Sequence, residues 1–316
     1  LFIALGIVFA FCASHAVAQE RANVPVVGVL VTHAPVTDQV FNQLREGLLN
    51  LGYENGRNMF LRIVSAEGRL EQLPLLARKL VDEHVDVIIA TNELSARAAR
   101  TATTTIPIVM VGWGSDPVQE GLIDNLSHPG GNITGTYARP LGMDSKQLQI
   151  LMEAMPKVSR VAVLTDPAFG QLASSDLRHA ASSLGVHLQF VEVGSGDDLE
   201  PVFRSARRAN AGAALVNWSP VFYLHRVKIA ALALKYRLPV VGSHSMGAFI
   251  SYGADNREIP RRVAYYVDRL LKGAKPGDLP VEEISTIRLI VDLRMARKLG
   301  VTIPESILAR ADEVLQ

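Results

Sequence analysis

The feature that most restricts this chain is an internal repeat. One series of apolar strands and amphipathic helices occurs twice, the second copy about 130 residues after the first. In the first copy the spacing predicts a strand over residues 26–32, a helix over about 40–51 ended by Gly52, and a strand over 59–64. A helix near 70–83, a strand over 85–90, a short helix over 94–101 and a strand over 106–111 complete it. In the second copy 161–165 matches the first strand, Leu184-Gly185 matches Leu51-Gly52, and 188–193 matches 59–64. A helix through 199–208 follows; then 213–217 matches the VIIATN run, and Leu238-Pro239-Val240-Val241 matches Ile106-Pro107-Ile108-Val109. Nearly continuous apolar strands that alternate with helices mean parallel sheets covered on both faces. The chain therefore reads as α/β, with two doubly wound parallel-sheet lobes of similar size. After Ser251-Tyr252-Gly253 the repeat stops. A helix near 259–272 halted by Gly273, a strand over 286–291 and a helical region interrupted by Pro304 make up the remainder.

The amino-terminal residues 1–13 are almost wholly apolar and lead to Ala16-Val17-Ala18, the shape of a secretory signal peptide. The run is too short for a membrane span, which takes about 20 residues. Residues 1–18 are thus expected to be removed after Ala18, leaving a periplasmic chain. Cys12, the single cysteine, lies inside this segment, and Phe11 before it is not the small residue of a lipoprotein signal. No thiol is then expected for disulfides, catalysis or metal binding. Lys and Arg number 32 against 31 Asp and Glu, a net charge of +1, which leaves no basic excess to neutralise a phosphate backbone. No nucleic-acid partner is expected.

In open α/β sheets the ligand sits beyond the carboxyl ends of the strands, where loops and helix N-termini converge. Those ends carry Thr32, His33, Thr91, Asn92, Trp113 and Asp116 in the first lobe, and Asp166, Asn217, Trp218 and His244 in the second. Both tryptophans of the chain fall in this set, one per lobe. Packing at a lobe surface is their ordinary alternative, as helix capping is for Asp116, Asp166 and Thr91. Familiar catalytic patterns fail. There is no phosphate-cradling G-x-x-x-x-G-K-[ST], and Gly130–Gly135 lacks the strand-before, helix-after setting of a dinucleotide fingerprint. The eight histidines show no metal-ligand spacing. SHSMG at 243–247 falls one glycine short of a nucleophile elbow, and no histidine follows His244 to complete a triad. No enzyme, cofactor or metal is expected.

Long collinear runs carry a resemblance: LREGLLNLGYENGRN (44–58), DVIIAT (86–91), TIPIVMVGWGSDPVQEGLI (105–123), HPGGNITG (128–135), AYYVDRLLKGAKPGDLPVE (264–282) and ARKLGVTIPESILARADEV (296–314). In these the chain resembles bacterial ABC-transporter substrate-binding proteins of the tryptophan/tyrosine-type uptake family, which have the type I periplasmic binding protein fold. The resemblance implies lobes of 24–137 plus 255–283 and of 138–254 plus 284–316, joined by three crossings near 137–141, 251–255 and 280–284. It also implies a monomer that closes on a small solute, an aromatic amino acid or related small carboxylate, and delivers it to a membrane permease driven by a separate ATPase. A solute-sensing subunit that presents its closed state to a membrane receptor would share these features. In the implied site Thr32, Thr91 and Asn92 hold a carboxylate, Trp113 and Trp218 flank the apolar body, and Asp116, Asp166 and Asn217 orient it. His33, Tyr137 and His244 complete the lining. Thr286 stands where the family commonly has Lys, and Trp113 where small residues are frequent.

Overall fold

Strands that are apolar on both faces need cover on both faces, and the computed structural model supplies it twice over. It describes residues 24–33, 39–113, 116–138, 142–169, 175–216, 218–243, 247–255 and 257–316. From the amino end, β1 (Val26–Val31), α1 (Gln39–Asn50), β2 (Phe60–Ser65), α2 (Leu73–Asp82), β3 (Val87–Ala90), α3 (Glu93–Ala102), β4 (Ile108–Trp113) and β5 (Ile133–Ala138) build the first sheet and its helices. The chain then crosses to a second sheet. This contains α4 (Met143–Ala154), β6 (Arg160–Thr165), α5 (Ser175–Ser183), β7 (His187–Glu192), α6 (Leu199–Arg208), β8 (Ala213–Val216), α7 (Pro220–Leu224), α8 (Arg226–Tyr236), β9 (Val240–Gly242) and β10 (Ile250–Ala254). It returns to the first for α9 (Ile259–Leu271) and the two-residue β11 (Glu282–Glu283). The second sheet receives the end of the chain, with β12 (Ile287–Asp292), α10 (Leu293–Leu299), α11 (Glu305–Leu308) and β13 (Glu313–Leu315).

The strand orders are β2-β1-β3-β4-β5-β11 and β7-β6-β8-β9-β10-β12-β13. The first five strands of each thus lie in one arrangement, the structural counterpart of the sequence repeat. In the second sheet β12 runs antiparallel to β10. Alternate residues of each strand enter opposite cores. Val27, Val29 and Val31 pack with residues of α1 and α9, whereas Leu30 packs with those of α2 and α3. In β6, Val161 and Val163 face the α4–α5 side, and Ala162 and Leu164 the α6–α8 side. Gly52 and Gly185 end α1 and α5 alike, with φ of +92° and +66°, a region L side chains avoid.

Two strands begin later than their apolar runs suggest, for a reason the second lobe repeats. Asp86 accepts a hydrogen bond from the Val26 amide through its side chain (2.7 Å), so it serves as entry turn to β3. Pro107, with no N–H, offers only its carbonyl, which accepts from Ile88 (2.9 Å); Pro239 does the same for Ala214 (2.8 Å). The tail also holds β13, parallel to β12, which three residues are too few to reveal by periodicity. Among the described residues no helix is long and apolar enough to cross a membrane.

Candidate ligand-binding site

In this strand order the crevice opens where the chain reverses direction across the sheet, between β1 and β3 in the first lobe and between β6 and β8 in the second. Thr32 directly follows β1 and is 2% exposed. Asn92 follows β3 and caps α3: its Oδ1 accepts from the Ser95 amide (3.0 Å), and Ser95 Oγ accepts in return from the Asn92 amide (3.0 Å). The remaining Asn92 group, Nδ2, donates to Thr32 Oγ1 at 2.6 Å. The second lobe builds the same junction from different residues. Asp166 directly follows β6, and Ser219 caps α7 by accepting from the Phe222 amide (3.2 Å). The Ser219 side chain lies against the Asp166 carboxylate and helps to hold it.

The two junctions differ in charge. The Thr32–Asn92 pair is neutral, and both the oxygen and the nitrogen of the Asn92 side chain are engaged. Asp166 is 4% exposed; its Oδ1 accepts from the Ala168 amide (3.0 Å), whereas its buried Oδ2 has no hydrogen-bond partner among the described residues. Burial pushes this carboxyl above the ordinary aspartate range, against the pull of the Ala168 amide and Ser219. In the first lobe α3 presents its N-terminus, whose first backbone N–H groups lack intrahelical acceptors and carry the positive end of the helix dipole.

The other expected residues separate. Thr91 turns its hydroxyl back onto the Leu30 carbonyl (3.2 Å). Asp116 accepts from the Val118 amide (2.9 Å) at the start of a turn, where the sequence alternative was a helix cap. Tyr137 is buried in the first lobe's core, with its hydroxyl on Glu283 Oε2 (3.3 Å) of β11. Trp218 is half-buried and packs against the second lobe's α6–α8 core. His33, buried beside Thr32, has its imidazole pushed down to about 4, chiefly by burial and then by the charge of His225 on the second lobe. The Trp113 side chain, Asn217, His244 and residues 1–18 lie outside the described residues. Ser219 belongs to the strand end that follows β8 but was not among the expected site residues, although Ser followed by Pro at the start of a helix is a legible cap signal. The same holds for Glu93 at the end of β3, whereas nothing in the sequence singled out His225. Glu93 is buried at the first position of α3, with Oε1 3.5 Å from where a Cβ on Gly112 would stand. Among the described residues no cluster of three or more His, Cys, Asp or Glu is arranged to hold a metal.

One consequence concerns Asn92. Asn92→Ala removes a helix cap and the bond to Thr32, and is expected to cost about 1–2 kcal/mol in a urea melt. Asn92→Asp keeps the capping oxygen and should recover most of that loss.

Fold and crevices together define a two-lobed α/β binding protein of the type I periplasmic kind. Residues 24–315 match the family model described as "ABC transporter substrate binding protein", and the chain belongs to that family. It is 27% identical over 277 residues to a tyrosine-binding protein of Clostridioides difficile (strain R20291), covering 83% of this chain and 76% of that one. Among solved structures it resembles a conserved domain protein of Vibrio cholerae, with TM-score 0.81 and 27% identity over 92% of this chain and 99% of the other. A Streptococcus pneumoniae ABC domain in complex with L-Trp superposes equally well, at TM-score 0.81 and 22% identity, with the same coverage of 92% and 99%.

Proposed function

We propose that this chain is the extracytoplasmic receptor of an ABC uptake system for a zwitterionic aromatic amino acid. On this reading it captures the solute between its lobes and passes it unchanged to a permease powered by a separate ATPase. The observation that carries the reading is the charge asymmetry of two otherwise matching junctions. A buried Asp166 oxygen without a donor among the described residues suits a ligand ammonium. The α3 N-terminus, steadied by Asn92 and Thr32, suits a carboxylate. The names of the relatives, one tyrosine-binding and one solved with L-Trp, support an aromatic body between these poles. Trp113 and Trp218 are proposed to flank it, with Thr91, Asp116, Tyr137, Asn217 and His244 in the surrounding wall. The lobes are 24–137 plus 255–283 and 138–254 plus 284–316, and the segments between them absorb the rotation of closure in a monomer. Ligand shifts the open–closed balance only through contacts it gains with both lobes.

A thermal-shift screen of amino acids, aromatic acids and small carboxylates tests this. L-tryptophan or L-tyrosine at about 100 times its dissociation constant should add about 2.7 kcal/mol of apparent stability. No shift with any aromatic amino acid, or chemical change in the solute after incubation, would sink the reading.

A further inference from the structure

The net charge of +1 conceals a separation of charge. In the second sheet β6, β7, β8, β9 and β10 run parallel, so the connections that enter them lie side by side at one end. Asp166 and Ser219 stand at the other end. Because β12 is antiparallel to β10, it leaves the sheet among those entries, where the Asp292 amide donates to the Phe249 carbonyl (2.8 Å). From Asp292 the chain enters α10, whose Met295 packs with the cores on both faces of the sheet, so this helix lies across the strand ends. The side chains gathered here are cationic. Lys157 and Arg160 enter β6, Arg207 and Arg208 precede β8, Arg237 precedes β9, and α10 carries Arg297 and Lys298 in its last turn. All but the half-buried Arg160 are exposed. These connections hold a single carboxylate, Asp292, and Arg294 donates to it through two nitrogens (3.1 and 2.8 Å). Glu153, in the last turn of α4, is likewise held by Arg310.

The fold does not require these charges. In the first lobe the equivalent entry to β3 carries Asp82, Glu83 and Asp86, and the entry to β4, residues 103–107, carries no charge at all. We propose that this end of the second lobe is a docking surface for an anionic phospholipid bilayer. From β7 to β12 there are six neighbouring strands, so at the usual spacing between strands the cations spread over about 25 Å. That is the breadth of several headgroups, far more than one small anion needs. Leu184, 41% exposed beside Gly185 at the entry to β7, adds an apolar side chain to the face. Such a side chain suits the boundary between headgroups and acyl chains and has no use against a phosphate backbone. Membership of a transporter family keeps a membrane within reach. Face and crevice lie at opposite ends of the strands, so a lobe resting on lipid does not cover the crevice. The proposal goes beyond the transport reading and does not depend on which solute is held. Each Lys or Arg brought to an anionic surface strengthens partitioning about fivefold, and the attraction decays within a Debye length of about 10 Å in 0.1 M salt.

Sedimentation with vesicles of phosphatidylcholine alone, or of phosphatidylcholine and phosphatidylglycerol in equal parts, reads the interaction. The chain without residues 1–18, the form expected after signal cleavage, should bind the mixed vesicles in about 20 mM salt and leave them in about 500 mM salt. It should ignore phosphatidylcholine alone. Lys157→Gln, Arg208→Gln and Lys298→Gln together, three exposed side chains from three connections, should weaken binding about 100-fold. Arg208→Gln alone should weaken it about fivefold, which keeps a readout if the triple variant folds poorly. Arg57→Gln, Arg78→Gln and Lys79→Gln together remove the same charge from exposed positions on the first lobe and should bind as the wild type does. No binding to mixed vesicles in low salt, equal binding to phosphatidylcholine alone, or an equal loss in the two triple variants overturns the inference. Tighter retention of a DNA duplex than of the mixed vesicles does so too, and assigns the face to nucleic acid. Titration of the second-lobe triple variant with L-tryptophan should match the wild type, so a failure of the transport reading shows in that titration and not in the vesicles.

Discussion

Asp166→Asn is expected to weaken ligand binding about 150- to 5,000-fold while raising the melting temperature of the ligand-free protein. The two effects have one origin. Without ligand, a carboxylate 4% exposed keeps an oxygen with no donor among the described residues, and burial alone disfavours its charge. Asparagine still offers Oδ1 to the Ala168 amide, so the local turn persists and the desolvation cost is removed. With ligand, the variant leaves a buried ammonium facing an amide, and breaking one half of such a pair costs about 3–5 kcal/mol. Titration calorimetry and a thermal melt of the same sample check both halves. Binding loss accompanied by a lower melting temperature would make Asp166 a structural residue. Unchanged affinity would remove it from the site altogether.

Gly135→Ala is expected to be the most disruptive single methyl group for the fold. Gly135 lies in β5 opposite Met110 of β4, with φ of +132°. A Cβ there would stand 2.2 Å from the Met110 carbonyl oxygen and 2.7 Å from its amide nitrogen, both backbone atoms of a central strand. Strained φ and backbone overlap act together, so the cost should be about 3–5 kcal/mol, a large share of the 5–15 kcal/mol that holds a typical protein folded. A fall in melting temperature of about 10 °C or more, or loss of soluble protein, is the expected result. Gly131→Ala is the control. It lies four residues earlier, meets nothing within 4 Å and carries no positive φ, so its melt should be close to wild type.

Gly135 shows where sequence reading stops. In the string GGNITG it looks like part of a glycine-rich loop, yet it belongs to a buried strand, where its missing side chain admits the neighbouring backbone. Which glycine does that depends on the register of β4 on β5, and register is a relation between segments. The candidate site divides along the same line. That Thr32, His33, Asn92 and Asp166 lie at strand ends was legible, because a strand shows itself by local apolar character and its end by the first polar residues. That Asn92 bonds to Ser95 and Thr32, and that Asp116 and Tyr137 are held by Val118 and Glu283, was not.

The order of elements, their duplication and the polar residues at strand ends follow from the chain alone, since helix and strand periods are properties of a local backbone and survive in any window of ten residues or so. The choice among those residues belongs to the folded molecule. Thr32 meets Asn92 across 60 residues, and His33 feels His225 from the opposite lobe, because sheet order and lobe packing bring together groups that no local pattern relates. Hydrogen bonding and desolvation act over a few ångströms of space, so they determine which polar side chain is satisfied and which, like Asp166, keeps a buried oxygen with no partner among the described residues.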